Sequence, residues 1–194
     1  MLKTVLAVFL AFTIAVVGGG WSAWYALEAQ EGVGAVTIGQ WTTYPDLGTA
    51  EADPYTQARA ARRGALVLGR TEGVVFVARH DAAGELLLRE CSYQVQGGIA
   101  AARFWTLFAA DSQFTPIRTR NGALAALQSG SLVRGADNGF SIAVSPMAQP
   151  GNWLADAGSG PLYLVLTLYD SPAAGDLADS TLPLPTITKV GCDA

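Results

Sequence analysis

The sequence predicts a mainly β protein: an antiparallel sandwich or jelly-roll-like domain with one short helix, preceded by a single N-terminal transmembrane helix. Three observations predict it. The stretch Thr4–Ala26 carries no charge across 23 residues. As a helix it would span roughly 34 Å, more than the ~30 Å hydrocarbon core of a bilayer. Later in the chain, short apolar runs alternate with a period of two, as in Leu162–Tyr169. Turn signals separate these runs, among them Asp81-Ala82-Ala83-Gly84, Asn121-Gly122 and Asp137-Asn138-Gly139. Short strands with frequent turns favour a sandwich over an alternating α/β fold.

The first element admits two readings. A cleaved signal peptide has a basic start, an apolar stretch of about 7–15 residues and a small-residue cut site. Lys3, Val5–Val17 and Gly18-Gly19-Gly20 could supply these. The apolar character, however, resumes in Trp21-Ser22-Ala23-Trp24-Tyr25-Ala26-Leu27. Trp and Tyr favour the membrane–water boundary, and glycine is better tolerated in a span than in a soluble helix. The reading adopted is therefore an uncleaved signal-anchor, in contact with the lipid bilayer through Thr4 to Ala26. Lys3 precedes the span; Glu28 and Glu31 follow it, with no Lys or Arg until Arg59. By the positive-inside rule the N-terminus stays in the cytoplasm and the rest is exported. For a bacterium this means a single-pass inner-membrane protein with a periplasmic C-terminal domain. The expected organisation is an anchor over 1–30, a linker with a candidate first strand over 31–52, and a periplasmic β domain over 53–194.

Without the anchor, about 165 residues remain, the size of one domain with a real core. The net charge is −4 and the pI near 4.9, with no basic cluster. This argues against nucleic acid as a partner. Cys91 and Cys192 both fall in the exported part, where disulfides persist. An even count fits one bridge, closing a loop of about 100 residues for roughly 4–5 kcal/mol in the chain-entropy picture. The alternative is two unrelated small hydrophobes.

Val33–Trp41 reads as a first strand and Thr42–Ala52 as a loop. Asp53 then caps a helix, with Pro54 at its first position, Tyr55–Arg63 as its body and Gly64 as its stop. Arg59, Arg62 and Arg63 sit near the negative end of its dipole and read as solvated charges. Val74–Arg79 is a short apolar run. Leu86–Gln96 follows, with Cys91, Tyr93 and Val95 on one face and Ser92, Gln94 and Gln96 on the other. Gly97-Gly98 interrupts it. Arg103–Ala109 is a further strand, Ala123–Gln128 a helical turn, and Phe140, Ile142 and Val144 alternate in another strand. Pro146–Gly151 is a loop. Leu162–Tyr169 sets Leu162, Leu164, Leu166 and Leu168 against Tyr163, Val165, Thr167 and Tyr169. Pro172–Pro185 reads as loop and Thr186–Val190 as the last strand, which a disulfide would pin beside the strand bearing Cys91.

Catalytic chemistry is sparse. His80 adjoins Asp81, but neighbours on a strand point to opposite faces, and no G-x-S-x-G supplies a nucleophile. His80 reads as a solvated turn residue. One histidine and two cysteines give no zinc spacing, so no metal is expected; no phosphate loop or dinucleotide fingerprint implies a cofactor. Asp111, Asp137, Asp156, Asp170 and Asp176 occupy turn-like contexts, where Asp bonds its own backbone. Two of them could meet as a glycosidase pair only through the fold. Trp105, Trp153, Tyr163 and Tyr169 lie on or beside predicted strands, where aromatics pack in cores or stack on ligands. Asn152 could cap its turn or offer an amide. Trp105, Asn152, Trp153 and Tyr169 are the candidate ligand-binding residues, and no residue is assigned a catalytic role.

An ordered set of motifs runs through the chain: Asp53-Pro54-Tyr55, Asp81-x-x-Gly84, Cys91-Ser92-Tyr93, Arg103-Phe104-Trp105-Thr106-Leu107, Asn138-Gly139-Phe140, Gly151-Asn152-Trp153-Leu154, Leu166-Thr167-Leu168-Tyr169 and Leu182-Pro183-x-Pro185. Over residues 50–192 this resembles the bacterial domain-of-unknown-function family 1214, in its short membrane-anchored form. The resemblance implies a jelly-roll-like sandwich and no catalytic set. It implies a pair such as Cys91 and Cys192, and a second all-β module confined to longer relatives. Ala155 stands where the family tends to have Pro, and Thr167 where it tends to have Arg. The expected function is a non-enzymatic binding or accessory module of the envelope, with a protein or glycan partner. The alternatives are an envelope hydrolase acting on carbohydrate, and an accessory subunit of a membrane complex.

Overall fold

The computed structural model describes residues 2–29, 34–63, 67–119, 122–136, 139–175, 177 and 182–192. Gly64, Asn121, Asp137, Asn138 and Asp176 lie outside them, as does Val33. The charge-free stretch forms one helix, α1 (Leu2–Ala29), which runs through Gly18–Gly20 without a break. It is long and apolar enough to cross a membrane, with mean hydropathy 2.1, and every residue of its Leu2–Tyr25 span is exposed. Trp21 and Trp24 lie one turn apart near its end, ring centroids 5.9 Å apart.

Six residues separate α1 from β1 (Val36–Ile38), which pairs with β2 (Trp41–Thr43) as a hairpin. The single strand expected over Val33–Trp41 is therefore two, and Thr42 belongs to a strand rather than a loop. The cause is Gly39, whose φ of +59° turns the chain in two residues. Next comes α2 (Pro54–Arg63). Asp53 caps it as expected: its Oδ2 accepts from the Thr56 amide at 2.9 Å and from Thr56 Oγ1 at 3.1 Å. Arg59 departs from expectation, being 6% exposed rather than solvated. Thr56, Arg59 and Ala60 form one i, i+3, i+4 stripe turned inward, and the Arg59 guanidinium donates to Thr56 Oγ1 at 2.8 Å.

The remaining strands are β3 (Gly73–Ala78), β4 (Cys91–Gly97), β5 (Phe104–Ala110), β6 (Ala126–Gln128), β7 (Phe140–Ser145), β8 (Asn152–Ala155), β9 (Tyr163–Tyr169) and β10 (Thr186–Cys192). They build a six-stranded sheet in the order β1-β2-β3-β9-β5-β6 and a four-stranded sheet in the order β10-β4-β7-β8. Residues 123–128 make no helical turn. Ala126–Gln128 instead pairs with β5, Leu127 opposite Leu107, because the sheet edge satisfies backbone groups that so short a helix would leave open. The strand expected from Leu86 begins only at Cys91; Leu86 and Leu88 make single bridges to His80 and Pro161.

Pairing is antiparallel except between β7 and β8, which run parallel, Ile142 beside Asn152 and Ser145 beside Ala155. Six residues, Pro146–Gly151, make the return, and Gly151 takes a φ of +82° at its end. Parallel neighbours commonly need a dozen or more residues. Here the paired strands are so short that six residues at ~3.4 Å each cover the distance.

The two sheets pack their apolar faces together. Trp41, Phe76, Leu107, Leu164, Leu166 and Leu168 of the larger sheet and Tyr93, Val95, Ile142, Val144, Leu154 and Ile187 of the smaller are almost fully buried. The Trp41 indole donates to the Pro185 carbonyl at 2.7 Å, tying the first hairpin to the approach to β10. Cys91 and Cys192 face each other across β4 and β10 and form the expected disulfide, S–S 2.03 Å. The β10 ladder is irregular between Lys189 and Gly191, and Lys189 Nζ bonds Glu85 at 3.0 Å.

Candidate functional site

Alternation along β4 turns Cys91, Tyr93 and Val95 into the core and leaves Ser92, Gln94 and Gln96 outside. β7 does the same with Ser141 and Ala143. Over this outer face of the four-stranded sheet lies a wide, open groove of about 1530 Å³. Gln94, Gln96, Ser141, Ala143 and Thr186 form its sheet side; segments 97–102, 133–135 and 149–152 form its rim. The rim is held by specific bonds. Asn152 pairs with Val133 as a strand backbone would, accepting its amide and donating to its carbonyl, both at 2.8 Å. Its second N–H donates to the Ser141 carbonyl at 3.0 Å. The Gly135 amide donates to the Gly139 carbonyl at 2.8 Å, closing the β6–β7 loop. Gln94 donates to Ser141 Oγ across the two strands. Among the described lining residues Arg134 carries the one charge; none is Asp, Glu or His.

Two of the four residues proposed from sequence border this groove. Trp105 reaches its wall, although it is 4% exposed and stacks on Phe140 at 5.3 Å. Asn152 is on the rim, its amide committed to holding Val133. Trp153 is half-buried beyond it, and its indole donates to the Ser145 carbonyl at 3.0 Å. Tyr169 belongs to the other sheet, packed on Phe104 at 5.8 Å. Gln94, Gln96, Ser141 and Thr186 were not singled out as a site, although the alternation had already put both glutamines on the outer face. No local pattern shows that three strands and three loops converge above them.

The titratable groups are spread elsewhere. Asp81 Oδ1 accepts from the Ala83 and Glu85 amides at 2.9 and 3.0 Å, and Asp111 Oδ1 from Gln113 and Thr115 at 2.8 and 2.9 Å. Both are turn-formers, as expected, and His80 is exposed beside the first. Asp170, at φ +49°, lies 3.7 Å from Arg103 on the surface. Asp156 contradicts its turn reading. It is fully buried just past β8, and among the described residues neither carboxyl oxygen has a side-chain or main-chain partner at hydrogen-bonding geometry. Burial pushes its pKa up to about 7, against smaller pulls from its own backbone amide and then from Arg89. Arg89 itself reaches the main chain there, its Nε 3.4 Å from the Asp156 carbonyl and its terminal nitrogen on the Ala157 carbonyl. Burial likewise raises the pKa of Tyr93. Among the described residues no three His, Cys, Asp or Glu side chains come together as a metal site.

The sequence profile of a family described as "Protein of unknown function (DUF1214)" matches residues 72–173, from β3 to the short turn after β9. The chain belongs to this family. The matched stretch carries much of the groove: Gln94 and Gln96, Trp105, Ser141 and Asn152, but not Thr186. No curated protein matches the chain. Among solved structures it is similar to the VPA0106 protein from Vibrio parahaemolyticus, with TM-score 0.57 and 16% identity, over 72% of this chain and 36% of that one. It also matches an uncharacterized protein from Burkholderia cenocepacia, with TM-score 0.41 and 16% identity, over 92% of this chain and 51% of that one. The chain therefore spans about a third to a half of the length of these proteins. At 16% identity the Vibrio likeness is one of fold, and this DUF1214 sandwich draws no residue roles from it.

Proposed function

We propose that this DUF1214 protein is a membrane-anchored module of the cell envelope, its sandwich held on the periplasmic side and its groove used for binding rather than catalysis. The observation that carries the proposal is an apolar helix with no protein to bury it, joined by six residues to a disulfide-closed sandwich bearing an open groove. A bilayer supplies the cover that α1 lacks, and an oxidising compartment sustains the disulfide. Lys3 before the span and Glu28 after it support a cytoplasmic N-terminus. The commitment of Asp81 and Asp111 to turns, and the lack of carboxylates among the described lining residues, favour binding over hydrolysis.

The test is fractionation of cells producing the full chain. After an alkaline carbonate wash the chain stays with the membranes, and the mature N-terminus retains Thr4–Ala26. External protease digests the sandwich once the outer layer is permeabilised. A soluble mature chain starting beyond Gly20 would sink the anchor, and a sandwich protected until the inner membrane is lysed would sink the orientation.

A further inference from the structure

We infer that the groove over the four-stranded sheet takes an uncharged, polyhydroxylated chain: an oligosaccharide laid across β10, β4 and β7. The inference rests on the binding-module reading and names its ligand class. Gln94 and Gln96 reach the groove from β4, Ser141 from β7 and Thr186 from β10. Same-face neighbours on a sheet stand ~7 Å apart along a strand and ~5 Å apart across strands. The four side chains therefore form a small grid, and each offers both a donor and an acceptor without carrying charge. A sugar hydroxyl has the same dual character, so a polyol can exchange bonds to water for bonds to each of them.

Two other ligand chemistries fit less well. A strongly charged ligand would give up water for partners that, among the described lining residues, are neutral apart from Arg134, which costs more than it returns. An extended peptide is taken up along a strand edge, where main-chain groups are open. This groove lies on a sheet face, and the main-chain groups beneath it are already paired in the β10–β4–β7 ladders. Size points the same way. At about 1530 Å³ the groove exceeds the ~300–1,000 Å³ typical of sites for single small molecules, so more than one ring fits. The rim is already formed, with Asn152 holding Val133 and Gly135 bonded to Gly139, so little ordering opposes binding.

The test is calorimetric titration of the full chain in phospholipid nanodiscs, free of sugar-headed detergent. The probes are cellotetraose, maltotetraose, chitotetraose and, as a contrast, an uncharged alanine–glycine–serine tetrapeptide. At least one sugar binds saturably. Gln96→Ala weakens that binding about five- to tenfold, the loss of a good neutral hydrogen bond. Gln96 is exposed, so the variant melts with the parent. Phe104→Ala, on the outer face of the six-stranded sheet, leaves binding unchanged. No saturable sugar binding at about 10 mM overturns the inference, as does binding indifferent to Gln96→Ala. Tetrapeptide binding without sugar binding overturns the ligand class and keeps the binding module; silence from every probe removes both.

Discussion

α1 and β9 are built almost wholly from apolar residues, yet their surroundings are opposite. In α1, Leu6 and Phe9 are each 70% exposed; in β9, Leu164, Leu166 and Leu168 are fully buried. Side-chain composition does not separate them. The difference lies in the backbone. A helix closes its hydrogen bonds within itself, so α1 can leave the protein and lie in hydrocarbon. A strand needs a neighbour on each side, and β9 has β3 and β5. One segment can set where the molecule resides while the other sets whether it folds, and the two roles should come apart under mutation.

The largest effect is expected in β9. Leu166→Ala removes a fully buried side chain between the sheets and costs about 3–4 kcal/mol by denaturant titration, without releasing the chain from membranes. A cost below about 1 kcal/mol would mean that β9 is not the keystone its burial indicates. Next is the disulfide. Replacing both Cys91 and Cys192 by Ser costs about 3 kcal/mol, abolishes the mobility shift on non-reducing gels, and again leaves location unchanged.

Asp156 gives a smaller effect with a characteristic pH dependence. Its folded pKa, about 7, lies above the ordinary carboxylate value of 3.8. The folded state thus holds the proton more tightly, and this contribution to stability is complete below pH ~4 and is lost as pH rises through ~7. Asp156→Asn removes the loss, so the variant gains about 2 kcal/mol on its parent between pH 5 and pH 8, read as a difference in melting temperature. A parallel pair of pH profiles would show that Asp156 is not the group responsible. The smallest effect on stability belongs to α1. A chain starting at Gly34, with the Cys91–Cys192 bridge closed by oxidation in vitro, should unfold within about 0.5 kcal/mol of the full chain while leaving the membrane fraction entirely. If it unfolds much more easily, the separation between location and folding fails.

Several features were legible because their signal is local. The length and neutrality of α1 need no tertiary partner to be read. Asp53 followed by Pro54 fixes a helix start within two residues, and the alternation from Cys91 to Gln96 gives the two faces of β4 directly. The strict alternation of Leu162–Tyr169 gave β9 its two faces but not its burial. Val165 and Thr167, on the side away from the core, are 4% and 6% exposed because β9 lies at the middle of its sheet, and sequence does not show strand order. β6 has three residues and no signature; it exists because β5 offers an edge. The parallel return into β8 depends on Asn152 and Trp153 finding Ser141 and Ser145. Arg59 and Asp156 were misread for one reason: a charged side chain in a polar local context looks solvated, and only packing reveals otherwise. The groove was least legible, being assembled from strands and loops distant in sequence.

β10 is the outermost strand of its sheet, so one row of its main-chain donors and acceptors faces away from β4; the turn at Ala82 covers part of it, its amide donating to the Ile187 carbonyl at 2.8 Å. An open row of that kind recruits strands from neighbouring molecules and seeds aggregates. The break in register between Lys189 and Gly191, the ammonium of Lys189, and the closure at Cys192 interrupt the row before it can serve as a template. The same modest irregularities that distort one ladder let many copies crowd side by side without zipping together.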